Sequence, residues 1–458
     1  MNRLANRTTI AVFLILVLLC GLVFFFVEFM IQAENWVAFE GSPHIYIGGN
    51  MRCGVVTDRA GEILLSDLDE RSYSNDLQIR QSTIHWVGDR VGYISAPAAS
   101  YYAEKIIGYN RISGLYSYAG TGGKAEMTLS ADLQIIALEA MGNLKGTVAV
   151  YNYVTGEILC AVTTPNYDPD NVPDIAGNEE GIYEGIYLNR FTQVSYVPGS
   201  IFKLVTTAAA LEKLGPDAAE LNFNCNGTYQ LGVDQVTCAK SHGNITMKTA
   251  LAKSCNCYYA QLITLMGGDA LEAYVEQFQI TEPLFFDGIT TRAGNFDVED
   301  AAKVEIAWSG IGQHLDLVNP ARFMTFMGAI AAGGEAAQPY VISSVSNNGK
   351  ITYAAETETT GQIMSSRTAE LLTELMRNNV TQIYGDGYFP GLSVCAKSGT
   401  AEVGGGELPN ATFAGFVADE AYPLAFVCMV ENAGAGSEVC VPIVSKVLAG
   451  CKNLLDAE

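Results

Sequence analysis

The stretch SYVPGSIFKLVTTAAALEK, residues 195–213, places a serine directly after a Pro-Gly pair and a lysine three residues later, where an apolar run begins. Such a serine is also a common helix cap, and a lysine one turn in is commonly solvated. However, Ser200 and Lys203 form the only S-x-x-K pair in the chain, and at i and i+3 their side chains share one helical face. A desolvated lysine has a lowered pKa and accepts protons, so a serine beside it becomes a nucleophile. The stretch therefore predicts a nucleophilic serine at the mouth of a buried helix.

Length and composition limit the classes of protein to consider. A chain of 458 residues is too long for one ordinary core and predicts two or three folded units. Its 49% apolar and 16% charged residues exclude a disordered chain. A formal net charge of −23 argues against a nucleic-acid partner, whose phosphates would be repelled.

The N-terminal region predicts a transmembrane helix over residues 9–31. No charge occurs from Ile10 to Val27, which is about the length of one bilayer crossing and longer than most secretory h-regions. An uncleaved anchor is therefore favoured, although the IQA before Glu34 leaves cleavage open.

The charges around this span predict its orientation. Arg3 and Arg7 precede the span, and Glu28 is the first charge after it. The positive-inside rule then places a short tail, residues 1–8, in the cytoplasm and the rest of the chain outside. We expect a single-pass protein of the cell membrane with an extracytoplasmic catalytic region.

Two extracytoplasmic units are predicted after the anchor. Residues 32–124 carry short strand-like runs and many turns and end in a glycine-rich linker at 116–126, which is typical of a small β-rich pedestal. Residues 125–458 form the larger unit, which opens with a helix capped by Ser130 or Asp132.

The pattern of the larger unit predicts an α+β fold. Two strands joined at 154–156 come early, the helix that begins near Ser200 and a second long helix at 246–266 follow, and three strands come late. We expect one five-stranded antiparallel sheet flanked by helices. The remaining helices are predicted near 299–308, 318–332, 366–379 and 441–455, and the late strands at 393–403, 412–418 and 424–431.

Eleven cysteines raise the question of disulfides and metals. Cys225 and Cys238 bracket CNGTYQLGVDQVTC, which resembles a hairpin that a disulfide could close. Cys255 and Cys257 form a C-x-C that is a weak metal signal, and no Cys/His set has zinc spacing, so no metal site is expected. Buried free thiols are expected for most of the ten cysteines outside the anchor, which indicates a low-oxygen setting.

Two further short stretches carry candidate site residues. LAKSCNCYYAQL places Ser254 and Asn256 at the start of the second long helix, where capping is the alternative explanation. VCAKSGTAEV places four candidates on a late strand, where an exposed lysine is the alternative. They are Lys397, Ser398, Gly399 and Thr400.

The order S-x-x-K, S-x-N and K-[ST]-G is the motif set of serine β-lactamases and penicillin-binding proteins. The chain resembles that superfamily, and more narrowly the class B penicillin-binding proteins. DRAGEIL is similar to the family's entry to its pedestal, NRFTQVSYVPGSIFK to its nucleophile segment, and IGQHLDLVNPARFM to a later helix. The resemblance covers about residues 50–65 and 125–450. Ser398 stands where many relatives have threonine, so the hydroxyl is kept.

The resemblance implies a serine-type D-Ala-D-Ala transpeptidase of peptidoglycan synthesis. Ser200 would attack the penultimate D-Ala carbonyl of a stem peptide, with Lys203 as the base, although the identity of the acylation base is disputed in this superfamily. Ser254 would relay a proton to the leaving amine, and the Asn256 amide would hold a substrate peptide bond.

The late strand would bind the substrate carboxylate. Lys397 would supply a positive field, and the hydroxyls of Ser398 and Thr400 would donate to the carboxylate. Gly399 would let the substrate backbone approach the strand, and the N–H groups of Ser200 and Thr400 would form the oxyanion hole.

Two alternatives stay open beside the transpeptidase. A D,D-carboxypeptidase or β-lactamase would need a carboxylate that activates a deacylating water, and the 49 acidic residues do not exclude one. A non-catalytic β-lactam sensor is disfavoured because the motif set is intact. The family implies β-lactams as covalent inhibitors, no metal or organic cofactor, and a multi-spanning lipid-linked glycan polymerase as partner. A role in elongation, division or sporulation is left open.

Overall fold

The computed structural model of the chain describes most of the two predicted units. It describes residues 2–37, 46–47, 50–51, 54–67, 70–102, 105–106, 109–110, 115–116, 123–177 and 181–457. The centre of the predicted linker, residues 117–122, and Cys53 lie outside these ranges.

Helices and strands alternate along the described part of the chain. The helices are α1 (Asn2–Val37), α2 (Leu77–Val87), α3 (Pro97–Tyr101), α4 (Ala131–Met141), α5 (Lys203–Leu214), α6 (Met247–Ala252), α7 (Asn256–Met266), α8 (Gly268–Gln277), α9 (Lys303–Ser309), α10 (Pro320–Ala331), α11 (Ser366–Asn379) and α12 (Gly436–Ala457). The strands are β1 (Tyr46–Ile47), β2 (Asn50–Met51), β3 (Val55–Thr57), β4 (Ile63–Ser66), β5 (Ser72–Tyr73), β6 (Tyr109–Asn110), β7 (Leu115–Tyr116), β8 (Gly123–Met127), β9 (Gly146–Asn152), β10 (Ile158–Thr164), β11 (Asn222–Cys225), β12 (Thr228–Leu231), β13 (Asp234–Thr237), β14 (Gly243–Thr246), β15 (Phe285–Phe286), β16 (Ile289–Thr290), β17 (Ile342–Asn347), β18 (Lys350–Ala354), β19 (Val394–Ala401), β20 (Asn410–Val417) and β21 (Leu424–Val430).

A five-stranded antiparallel sheet forms the centre of the larger unit, as the sequence predicted. Its strand order is β10-β9-β21-β20-β19, which leaves β19 at one edge. α4 and α12 pack on one face, and α10 packs on the other. Because both faces are covered, all residues of β9, β20 and β21 are buried, and the strands read as nearly continuous apolar runs.

A second, mixed sheet joins the pedestal to the larger unit. Its strand order is β18-β17-β8-β3-β4-β5, in which β3 and β8 run parallel. Among the short strand-like runs predicted for the pedestal, β3 and β4 form an antiparallel pair. The boundary predicted near residue 125 falls inside β8, and β17 and β18 reach this sheet from residues 342–354. The pedestal sheet is therefore built from strands on both sides of that boundary.

The first helix matches the predicted membrane anchor in length and composition. Among the described residues, α1 is the one helix long and apolar enough to cross a bilayer, over Asn6–Ala33. Its large apolar side chains are exposed, which is unfavourable in water and favourable in a lipid phase. This helix is therefore suited to serve as a membrane anchor.

Candidate active site

Ser200 lies in a tight turn at the mouth of α5. Gly199–Phe202 form a single 3₁₀ turn that runs directly into the helix. Gly199 has φ of +57°, and its N–H donates to the Gly312 carbonyl at 2.8 Å. A Cβ on Gly199 would lie 2.8 Å from the Thr400 carbonyl oxygen. Glycine at this position therefore lets the serine turn approach the edge strand β19.

Lys203 connects the first two motifs. Its side chain is fully buried, and Nζ lies 3.0 Å from Ser200 Oγ and 3.1 Å from Ser254 Oγ. Nζ also lies 3.0 Å from the Ser254 carbonyl oxygen and 2.8 Å from Asn256 Oδ1. The other end of that amide, Nδ2, donates to the Thr237 carbonyl at 3.0 Å, which fixes Oδ1 toward the lysine. The alternative that Lys203 is a solvated helix residue is excluded.

The environment of Lys203 favours its neutral form. Burial lowers the pKa of Lys203 to about 7, because desolvation penalises the ammonium. The Ser254 carbonyl and Asn256 Oδ1 can only accept, so they take the two N–H bonds of a neutral amine. The lone pair then faces the two hydroxyls, Ser200 Oγ among them, and is placed to accept a proton.

The second motif lies at a break between two helices. The sequence predicted one helix over 246–266, and that prediction is wrong in its middle. α6 ends at Ala252 and α7 begins at Asn256, with Ser254 between them at φ of +52°. A left-handed conformation at a non-glycine residue costs about 1–3 kcal/mol and is concentrated at functional sites. Here the break turns the Ser254 hydroxyl and carbonyl toward Lys203.

Lys397 is buried on β19, which excludes the alternative of an exposed strand lysine. Its Nζ donates to the Ser398 carbonyl at 2.6 Å. Burial lowers the pKa of Lys397, and the nearby Lys203 lowers it further. The two lysines are thus close enough to oppose each other's protonation.

Tyr384 holds Ser398 at the edge of β19 and was missed by the sequence analysis. The Ser398 N–H donates to Tyr384 Oη at 2.7 Å, and the tyrosine hydroxyl donates to Ser398 Oγ at 2.9 Å. Tyr384 ends a π-helical turn, Val380–Tyr384, that follows α11. No local sequence motif marks this residue, because its contact spans a turn of irregular geometry.

Gly399 is required by packing, a reason that adds to the predicted approach of substrate to the strand. A Cβ at this position would lie 2.2 Å from Thr412 Oγ1 and 2.9 Å from the Pro198 carbonyl oxygen. Thr412 Oγ1 also donates to that carbonyl at 3.0 Å. Thr412, on β20, thereby ties the sheet to the segment that carries Ser200, and it too was missed.

The backbone N–H and carbonyl of Thr400 face away from β20, at the outer edge of the sheet. The carbonyl of Ala396 accepts from Asn379 Nδ2, and the N–H of Ser398 donates to Tyr384, so these two residues turn their backbone groups away from β20. Alternation along the strand gives Thr400 the same orientation. Its side chain is exposed and its carbonyl lies against the Ser200 turn.

Three cysteines and a histidine meet beside the second motif, a grouping that their spacing in the sequence did not reveal. Cys225, Cys238, His242 and Cys255 place their ligand atoms within 4.8 Å of one another. All four thiols named in the sequence analysis, Cys257 included, are free, so the suggested Cys225–Cys238 disulfide is not formed. The other described cysteines outside the anchor are also free and buried, as expected.

The fold and this constellation define a class of serine acyltransferase. Residues 146–449 match the family described as penicillin binding protein transpeptidase domain, and the chain belongs to that family. The class B assignment made from the motifs is supported.

Individual relatives agree with this assignment. The chain is 28% identical over 362 residues to peptidoglycan D,D-transpeptidase PbpA of Mycolicibacterium smegmatis, covering 72% of each protein. It is 26% identical over 347 residues to stage V sporulation protein D of Bacillus subtilis, covering 70% of this chain and 52% of that protein.

Solved structures have the same fold. The D,D-transpeptidase domain of a peptidoglycan glycosyltransferase from Eggerthella lenta matches with a TM-score of 0.75 and 24% identity, over 88% of this chain and 98% of that one. Penicillin-binding protein A of M. tuberculosis in a cephalosporin acyl-enzyme complex matches with a TM-score of 0.73 and 23% identity, over 88% and 99%.

Proposed function

We propose that this chain is a membrane-anchored peptidoglycan D,D-transpeptidase that links stem peptides through an acyl-enzyme at Ser200. The observation that carries the proposal is the buried Lys203 Nζ, within hydrogen-bond distance of Ser200 Oγ, Ser254 Oγ and Asn256 Oδ1. The names of relatives such as PbpA support the same activity.

The geometry suits acylation of Ser200 with the neutral Lys203 amine as the base. Lys203 takes the proton of Ser200 while Oγ forms a bond to the penultimate D-Ala carbonyl carbon. The proton passes by way of the Ser254 hydroxyl to the nitrogen of the terminal D-Ala as the C–N bond breaks. An acceptor amine then attacks the ester, the new amide forms, and Ser200 recovers its proton.

Substrate binding would use the edge of β19. The N–H groups of Ser200 and Thr400 suit the developing oxyanion, and losing one such donor typically costs about 10²–10³ in rate. Lys397 in its protonated form would supply a positive field behind Ser398 and Thr400, whose hydroxyls suit the terminal carboxylate of the substrate.

The hydrogen bonds of the site favour a transferase over a class A β-lactamase. Among the described residues, Ser200, Lys203, Ser254 and Lys397 form side-chain hydrogen bonds with hydroxyl, amide and carbonyl groups and with no carboxylate. A class A β-lactamase uses a glutamate, acting through a water molecule, for deacylation.

Labelling of the full-length protein in detergent with a fluorescent penicillin tests the proposal. We expect a long-lived adduct that peptide mass spectrometry maps to Ser200 and that Ser200→Ala abolishes. Ser195→Ala, at a half-buried serine of the same stretch whose hydroxyl donates to the Ala293 carbonyl, is the matched control and should label normally. An adduct lost within seconds would favour the hydrolase, and no adduct would favour the non-catalytic sensor.

A direct assay separates transfer from hydrolysis. A D-Ala-D-Ala stem peptide is offered together with an amine acceptor, and the products are separated by mass. Crosslinked peptide as the main product supports the transpeptidase. Free acid as the main product at saturating amine would contradict it.

We propose further that the N-terminus is cytoplasmic, the catalytic region is extracytoplasmic and a multi-spanning glycan polymerase is the partner. The arginines before the anchor support the orientation. Proteolysis of right-side-out spheroplasts should remove the catalytic domain and spare an N-terminal epitope. Co-purification with the polymerase in detergent, lost when α1 is replaced by an unrelated span, would support the partnership.

A further inference from the structure

Residues 190–200, which we call the nucleophile segment, cross the end of the central sheet before the chain enters α5. The Arg190 N–H donates to Thr163 Oγ1 on β10, at one edge of the sheet, at 3.1 Å. At the other end of the segment, the turn that carries Ser200 packs against β19, at the opposite edge. The path of this segment across the sheet therefore decides where the serine lies.

Glu431, the residue directly after β21, holds the middle of the nucleophile segment. Glu431 Oε1 accepts from Tyr196 Oη at 3.2 Å and from Arg190 Nε at 2.8 Å. Its Oε2 lies 2.9 Å from Lys145 Nζ, and its N–H donates to the Lys145 carbonyl at 2.7 Å. One carboxylate thus joins two residues of the nucleophile segment to the ends of β21 and β9.

This contact is shielded from water. The side chains of Arg190 and Glu431 are 3% and 20% exposed, and Tyr196 is 3% exposed. Burial raises the pKa of Tyr196, so its hydroxyl keeps its proton and donates to the carboxylate. Hydrogen bonds to an ionised group are roughly twice as strong as those between neutral groups, and salt screens a buried pair much less than an exposed pair. The contact is therefore suited to fix the position of the segment.

The main chain carries this constraint from Tyr196 to Ser200. The N–H and the carbonyl of Tyr196 pair with the carbonyl and the N–H of Val318, both at 2.9 Å. Two residues later, the Pro198 carbonyl accepts from Thr412 Oγ1 on β20 at 3.0 Å. Because the backbone is held at both of these points, a shift of the tyrosine is passed on to the serine.

We propose that Glu431 is a positioning residue for the nucleophile. Its carboxylate, through Tyr196 and Arg190, fixes where the nucleophile segment crosses the sheet and so keeps Ser200 Oγ within reach of its base. Ser200 Oγ lies 3.0 Å from Lys203 Nζ, and a misplacement of about 1 Å can cost about 10²-fold in rate. The carboxylate takes no proton in this role, which rests on the proposed function.

The kinetics of acylation separate positioning of the serine from binding of the ligand. Stopped-flow labelling of the full-length protein in detergent with a fluorescent penicillin gives the dissociation constant of the first complex and the rate constant of acylation. Glu431→Ala should lower the rate constant about 10–100-fold and leave the dissociation constant unchanged. Glu431→Gln keeps an acceptor oxygen for Tyr196 and should recover most of the rate. A native rate constant in Glu431→Ala would overturn the proposal.

Two further variants keep the test decisive if Glu431→Ala does not fold. Tyr196→Phe removes the hydroxyl and keeps the Arg190–Glu431 pair, so it should slow acylation in a protein that melts as the native protein does. Glu184→Ala is the matched control, because Glu184 contacts the same Lys145 at 2.6 Å with a side chain that is 74% exposed. It should acylate at the native rate. Native kinetics in Tyr196→Phe, or equal slowing in Glu184→Ala, would overturn the proposal.

Hydrogen exchange measures the same contact without any acylation. Amides of the nucleophile segment, residues 190–200, should exchange faster in Tyr196→Phe than in the native protein or in Glu184→Ala, because the segment opens more easily. Equal exchange in the three proteins would overturn the proposal. Labelling of Ser200 at one rate in all variants would defeat this inference and leave the proposed function intact. A native protein that is not labelled would defeat the proposed function, and exchange would still decide whether Glu431 fixes the segment.

Discussion

Lys203 Nζ lies 2.8 Å from Asn256 Oδ1, although the two residues belong to different helices. The amide is fixed at its other end by the Thr237 carbonyl, so its oxygen faces the lysine and not the solvent. The lysine is therefore held by a pure acceptor on one side and faces the Ser200 hydroxyl on the other. This arrangement ties Ser200, Lys203 and the end of β13 at Thr237 into one unit.

Acylation of Ser200 by penicillin should increase with pH around 7. Burial lowers the pKa of Lys203 to about 7, and only the neutral amine accepts the serine proton. The second-order rate should therefore fall as pH drops below this value and level off above it. Stopped-flow labelling of the full-length protein across this range measures the profile. A rate independent of pH on both sides of 7 would remove Lys203 as the base.

Asn256→Asp should move that profile to higher pH. A carboxylate at this position stabilises the ammonium of Lys203 and raises its pKa. It also loses the N–H bond to the Thr237 carbonyl. The rate of Ser200 labelling at neutral pH should therefore fall, whereas the plateau rate at high pH should be partly kept. Asn244→Asp adds the same charge at an exposed site and should leave the profile where it is.

Lys203→Ala should slow acylation about 10²–10⁴-fold, the usual contribution of a positioned base. The protein should still fold, because the substitution truncates only one buried side chain. Circular dichroism and the melting temperature check the fold, and labelling kinetics check the rate. Acylation at more than a tenth of the native rate would contradict the role assigned to this lysine.

Gly399→Ala should destabilise the protein and weaken labelling. The added Cβ would lie 2.2 Å from Thr412 Oγ1, and overpacking of this kind costs about 1–3 kcal/mol. Thr412→Ala in the same chain should recover part of the loss, because it removes that oxygen. Gly387→Ala is the matched control, since a Cβ there meets no atom within 4 Å. Denaturant unfolding of these three variants and of the native protein gives the comparison.

Tyr384→Phe should lower the rate of acylation without unfolding the protein. It removes the hydroxyl that accepts from the Ser398 N–H and donates to Ser398 Oγ, a net loss of about 0.5–1.5 kcal/mol per bond. The Ser398 hydroxyl would lose its fixed orientation toward the substrate carboxylate. Tyr388→Phe, at an exposed tyrosine nearby, should behave as the native protein does. Equal kinetics for both variants would remove Tyr384 from the site.

Local patterns were sufficient for much of the fold. The alternation of buried runs and turn residues predicted β9, β10 and the three late strands, and the Pro-Gly-Ser punctuation located the start of the α5 helix. These features depend on neighbours within a few residues. The break at Ser254 was not predicted, because the apolar spacing typical of a helix continues across this residue. Only the backbone conformation changes there, to the left-handed region.

The sequence by itself determined which residues are the candidates for the chemistry, because Ser200, Lys203, Ser254, Asn256 and Lys397 stand in recognisable motifs with the right residue types. The tertiary structure decided how these residues are arranged. It buried Lys203 and Lys397, which lowers their pKa values, and it placed Tyr384 and Thr412 against β19. It also brought Cys225, Cys238, His242 and Cys255 into one cluster through the β11–β14 pairing. Burial and such convergence arise from contacts between segments far apart in the chain, which no local pattern of residues records.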